Sequence, residues 1–188
     1  MYACVMPSRL STRFTFLWFC LLAAAGSAHS QDARGVLDVS FSATSTLHDF
    51  EGTTGPLSVS LSQAATQGWS ADVTIPVAQM KTGNGWRDES MQEMFDAKHH
   101  PQILGRFRGV DPERVRSSGK LPFVLQIKDV ERPVEARVTH WQQGEGAASF
   151  DAEFDVSLEA FQLEAPQTLF VSVGDAVHVS VHLKLERT

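Results

Sequence analysis

The chain has 188 residues and a formal net charge of −6, from 16 lysines and arginines against 22 aspartates and glutamates. That balance argues against nucleic acid, whose phosphates reward a basic surface, and against adhesion to anionic membranes. Both cysteines, Cys4 and Cys20, fall within the first thirty residues, so disulfide stapling and thiol catalysis are excluded from the remainder.

Arg9 and Arg13 precede an apolar run from Phe14 to Ala25. The run is about a dozen residues, shorter than the roughly 20 that span a bilayer. Ala28-His29-Ser30 offers small residues at both recognition positions, which predicts a signal peptide over residues 1–30 cut before Gln31. Gly26-Ser27-Ala28 is a rival cut, and an anchoring N-terminal helix is the bland alternative. Phe19 before Cys20 argues against lipoprotein processing. The expected location is periplasmic or secreted, with residues 31–188 forming one domain.

Alternation dominates that domain. Leu37, Val39 and Phe41 alternate with polar residues, as do Leu57/Val59/Leu61 and Ala71/Val73/Ile75. A strand after His48 and another around Ile103–Val110 belong to the same series. The pattern returns at Leu121/Phe123/Leu125/Ile127, Val134/Ala136/Val138, Phe150/Ala152/Phe154/Val156 and, longest, Val177/Val179/Val181/Leu183/Leu185. Gly55-Pro56, Gln67-Gly68, Ser117-Ser118-Gly119 and Gly144-Glu145-Gly146 read as turns between strands. About eight strands with short connections predict an all-β, antiparallel architecture, closed as a barrel or stacked as a sandwich.

One segment departs from alternation. Thr82-Gly83-Asn84-Gly85 leads into Trp86–Phe95, where Asn84 or Thr82 can cap a helix and Asp88 and Glu89 suit its first turn. Arg87, Met91, Met94 and Phe95 share a face by three- and four-residue spacing. The spacing predicts one short helix after the third strand, lying across the sheet or the barrel mouth and ending before His99-His100-Pro101.

These segments resemble the YceI-like family. Phe41…His48-Asp49-Phe50-Glu51-Gly52 is similar to its opening strands. Thr82-Gly83-Asn84-Gly85-Trp86-Arg87-Asp88…Met94-Phe95-Asp96…Pro101 is similar to its most distinctive internal stretch. Gly119-Lys120-Leu121…Val130-Glu131-Arg132-Pro133-Val134 and Val173-Gly174-Asp175-Ala176-Val177 resemble a later hairpin and the turn into the last strand. The chain departs from the family pattern at Ser90-Met91, His100, Leu158 and Gln162. The resemblance implies a lipocalin-like barrel that holds a polyisoprenoid, an isoprenoid quinone or a fatty amide, for storage or transport.

The residue types agree with that expectation. A barrel of eight strands is just wide enough to be filled by side chains or to hold one small ligand, and flexible methionines suit a variable tail. The candidate ligand-binding residues are Phe41, His48, Phe50, Arg87, Met91, Met94, Phe95, Phe107, Phe123, Phe154 and Phe170. Each apolar one is equally explained as core. His48 with Asp49 either meets a polar headgroup or forms a turn in which Asp49 bonds backbone amides. Arg87 with Asp88 either binds an anion or carbonyl or pins the helix to a strand.

No cofactor other than a bound polyisoprenoid or quinone-like lipid is expected. His178 and His182 are spaced like a helical zinc pair, but four residues of strand cover about 13 Å, too far to share an ion. No serine sits in a nucleophile elbow, and Asp151, Glu153 and Asp155 read as the solvated face of a strand. The reading is therefore a binding protein and not an enzyme. A solid-core interaction domain, or an enzyme acting on an isoprenoid lipid, is the competing class. The expected partner is an apolar small molecule or lipid, without nucleic acid; transient membrane contact and a homodimer stay open.

Overall fold

The computed structural model describes residues 31–46, 48–64, 68–165 and 173–187. Eight strands occupy most of them: β1 (Gln31–Ser45), β2 (Phe50–Ala64), β3 (Gly68–Pro76), β4 (Gln102–Val110), β5 (Lys120–Ile127), β6 (Val130–Gly144), β7 (Ala147–Ser157) and β8 (Val173–Arg187). Each pairs antiparallel with its sequence neighbours, and β8 returns to β1 in a register that sets Val39 opposite Val181. Closure leaves no unpaired edge for another chain to extend. The all-β, antiparallel architecture of about eight strands expected from the alternation is observed, closed as the barrel that the family resemblance implies and not stacked as a sandwich.

The inward residues are the alternating apolar ones. Leu37, Val39, Leu57 and Val59 form one buried cluster, and Phe41, Met91, Phe95, Phe123, Phe150 and Phe161 belong to a larger one. Alternation does not run unbroken, however. At Gly55, which has φ +69°, the register of β1 against β2 shifts. Gly52 and Thr54 are buried before the shift, and Leu57 and Val59 after it. A second shift lies in β6, where His140 and Trp141 together oppose Phe150 of β7. Such bulges reverse which face a strand shows to the lumen.

Two α-helices lie outside the sheet. The first, α1 (Gly85–Met94), follows β3 as expected; the Asn84 side chain accepts hydrogen bonds from the backbone N–H groups of Trp86 (3.1 Å) and Arg87 (3.3 Å). It buries Asp88 and Met91 and ends at the buried Phe95. A two-way backbone bridge between Thr53 and Lys81, both bonds 2.8 Å, ties its approach to β2.

The expectation of a single helix is corrected by α2 (Pro112–Ser118), between β4 and β5. The Ser117-Ser118-Gly119 turn is its last turn and cap. Asp111 accepts from the Glu113 N–H (3.0 Å), Pro112 sits where no N–H is needed, and Gly119 at φ +66° donates to the Val115 carbonyl (2.8 Å). Those are ordinary start and stop signals.

Candidate functional site

The two ends of the barrel differ. At the end carrying the β1–β2 and β5–β6 turns, α1 and the short 3-10 turns Val77–Gln79 and Glu159–Phe161 cover the lumen. Val77, Met80, Met91, Phe95, Leu158, Phe161 and Leu163 are all buried there, Val77 completely. This half is packed solid.

The other half encloses a cavity of about 270 Å³, at the low end of the size range of small-molecule sites. It reaches the surface where α2, the β6–β7 hairpin, the start of β3 and the ends of β1 and β8 converge. Trp69, Val110, Pro112, Gln143, Gly144 and Ala147 line that mouth region. Deeper, Val39, Val73, Ile75, Leu125 and Val181 form the wall. Phe107 stacks on Phe123 with ring centroids 4.9 Å apart, and Phe123 meets Phe154 edge-on at 5.2 Å. β5 and β7 are separated by β6, so the second contact passes over the inner face of β6.

Among the described residues no charged side chain lines the cavity; the polar side-chain groups there are Ser70, Gln143 and the indoles of Trp69 and Trp141. A charged group would lose its hydration there without a partner, whereas a hydrocarbon loses nothing. The arrangement can take an apolar chain.

Of the residues singled out from the sequence, Phe107, Phe123 and Phe154 line the cavity together. Phe41, Met91 and Phe95 are buried in the packed half, with Phe50 and Met94 against them. The Arg87 guanidinium lies 4.6 Å over the Phe50 ring, a cation–π contact that pins α1 to β2. Asp88 binds its own approach loop, accepting from the Thr82 N–H (2.8 Å) and hydroxyl (2.7 Å). These bonds, with Lys81 and Arg87 nearby, hold its carboxyl below the usual range despite burial.

His48 is exposed at the β1–β2 turn, its backbone bonded to the Ser45 hydroxyl, and Asp49 accepts from the Ser45 N–H at 3.3 Å. Neither meets the cavity. Phe170 lies outside the described residues, as do the two cysteines and residues 1–30.

Several lining residues escape periodicity. Val134, Ala136 and Val138 set a phase for β6 that would turn His140 inward. The bulge instead turns Trp141 and Gln143 to the lumen and His140 to the outside. The rest of the wall follows alternation, as with Leu37 and Val39, Ala71, Val73 and Ile75, and Val181, Leu183 and Leu185.

Outside the barrel, His140 and His182 both bond Asp151 through Nδ1, and His178 bonds Asp155 at 2.8 Å. The His182 bond, more than that of His140, keeps the Asp151 carboxyl below its ordinary value against partial burial. His140, Asp151 and His182, with Asp38, Ser40 and Glu153, border a polar surface groove. Among the described residues no three histidine or carboxylate groups are placed to share a metal ion.

A family model described as a YceI-like domain matches residues 26–185. Among solved structures, BcnA of Burkholderia cenocepacia superposes with a TM-score of 0.63 at 24% identity, over 79% of this chain and 95% of that one. A polyisoprenoid binding domain from Saccharophagus degradans, implicated in plant cell wall breakdown, gives 0.59 at 12% identity, over 85% of this chain and all of that one. At such identities the likeness is one of fold. No curated protein matches the chain.

Proposed function

The chain belongs to the YceI-like family, and from that premise we propose that it is an exported, periplasmic carrier or store for an amphiphile with a long apolar tail. The observation that carries this reading is the uncharged cavity opening at the α2 end of the barrel. The ligand class, a polyisoprenoid, isoprenoid quinone or fatty amide, rests on the family and on the binding attributed to the Saccharophagus degradans domain. A tail of several isoprene units exceeds about 270 Å³, so the lumen as it stands holds a short tail, and a longer one enters by displacing lining side chains. Apolar burial of about 25 cal/mol per Å² supplies the affinity, less the cost of ordering the tail.

Export supplies the need for such a carrier, because an apolar molecule between membranes must be shielded from water. Arg9, Arg13 and the apolar run after them are the basis for placing it there.

Mass spectrometry of an organic extract from protein purified without detergent tests the proposal. An apolar ligand in stoichiometric amount is the expected result. Protein that is repeatedly empty, and that also ignores added isoprenoids and fatty amides, overturns it and leaves a barrel whose interior is only core.

A further inference from the structure

Trp141 combines three features that core packing alone does not require. It lines the cavity near the mouth. It faces the lumen only because β6 bulges at His140, which sits at φ +51°, a conformation that carries strain for a residue with a side chain. Its ring is then fixed by parallel stacking on Phe150, with centroids 5.0 Å apart and planes within 3°. On the outer face, the bond from His140 to Asp151 (2.9 Å) holds the bulge in place.

The indole Nε1 so presented is buried and has no hydrogen-bond acceptor among the described residues. Buried tryptophan N–H groups ordinarily find a partner, and one without calls for an explanation. Among the described residues the lining carries no charge that could attract an ionic head. The described lining carries the indoles of Trp69 and Trp141, the Ser70 hydroxyl and the Gln143 amide, and of these the Trp141 N–H is the one buried without a partner, just beneath the apolar wall.

We infer that Trp141 is the hydrogen-bond donor for the head of the bound amphiphile, and that this head is an uncharged acceptor such as a carbonyl or carboxamide. The inference rests on the cavity being the ligand site. The tail fills the deeper lumen between Phe107, Phe123 and Phe154, and the head stops at the mouth. Side-chain adjustment on binding is common at such sites, and a slight shift of the lining lets a head oxygen reach Nε1. A phosphate head would have to shed its water against a wall that, among the described residues, carries no cation to receive it, which favours the neutral head.

Binding of oleamide, 1-octadecene and oleyl phosphate to the purified protein and to Trp141→Phe tests this. Phenylalanine keeps a ring on Phe150 and removes only the donor. Wild type is expected to prefer oleamide to oleyl phosphate, and Trp141→Phe to lose about tenfold in oleamide affinity while binding 1-octadecene as before. Equal binding of oleamide by both proteins, or equal loss for both neutral probes, overturns the inference and leaves the cavity as a site for tails alone. Wild type that binds none of the three overturns the ligand reading itself. Should Trp141→Phe fail to fold, indole N–H resonances of the wild type, assigned through Trp69→Phe and Trp86→Phe, give the answer. The Trp141 signal shifts with oleamide and not with 1-octadecene; no shift with either overturns the assignment.

Discussion

Ala71→Leu separates an open lumen from a filled one by the sign of its effect. Ala71 faces the cavity from β3, paired with Leu61 and Phe107. Its replacement adds three carbons, worth about 2.4 kcal/mol if all are buried in vacant space. Ordering the leucine costs about 0.5–1 kcal/mol, so the ligand-free protein should gain about 1.5 kcal/mol. For a domain of this size that is a rise of roughly 3–6 °C in Tm. The gain is reasonable because about 270 Å³ of unfilled volume forgoes on the order of 6 kcal/mol of packing. The control is Ala43→Leu, the same change at a buried inward position of β1 that lines no cavity. Overpacking there costs about 1–3 kcal/mol. Calorimetry on delipidated protein reads both, and Ala71→Leu should also weaken retention of a long-chain amide. If Ala71→Leu lowers Tm as Ala43→Leu does, the lumen is filled and the reasoning fails.

Four further outcomes follow from the packed end, the helices and the acids. Met94→Asp should lower Tm while leaving ligand retention in the folded protein intact, because α1 covers the solid half; retention lost with Tm unchanged would make α1 the gate. Gly52→Ala should cost about 1–3 kcal/mol in chemical denaturation, since a Cβ there overlaps the ring of Phe41 across the β1–β2 pair; wild-type stability would show that the ring moves freely. Asp111→Ala removes the cap of α2 and should cost about 1 kcal/mol, with faster hydrogen exchange confined to residues 112–119; uniform exchange would refute a local role. Asp88 has a folded-state pKa below its ordinary value, so its contribution is complete above about pH 4 and disappears as pH falls through the lower folded value. Asp88→Asn should thus lose stability at neutral pH and show a shallower acid decline, and an unchanged acid profile would count against the Thr82 bonds as the cause.

The placement of Met91, Met94 and Phe95 shows how far local pattern reaches. Their spacing on one face was enough to predict a helix that buries that face, and α1 does so. Nothing in the spacing tells whether the face closes a ligand chamber or completes a core. That depends on Val77, Leu158 and Phe161, which arrive from segments up to roughly seventy residues away. The signals of α2 are local: Asp111-Pro112 starts it and Gly119 ends it, and its last residues and cap, Ser117-Ser118-Gly119, have the composition of a turn.

Alternating apolar residues and short turns determined by themselves the antiparallel strands and their pairing with sequence neighbours, because a period of two and a tight connection are properties of adjacent residues. Closure as a barrel and not a sandwich followed from the family motifs. The family could likewise be read from motifs spread in order along the chain. Only the tertiary structure decided which half of the barrel is hollow and which side chains face it. Volume left over when eight strands and two helices meet is a sum over distant residues. A bulge of one residue, as at His140, exchanges inside for outside without altering composition. Trp141 faces the lumen for that reason, and no periodicity computed along β6 would have turned it there.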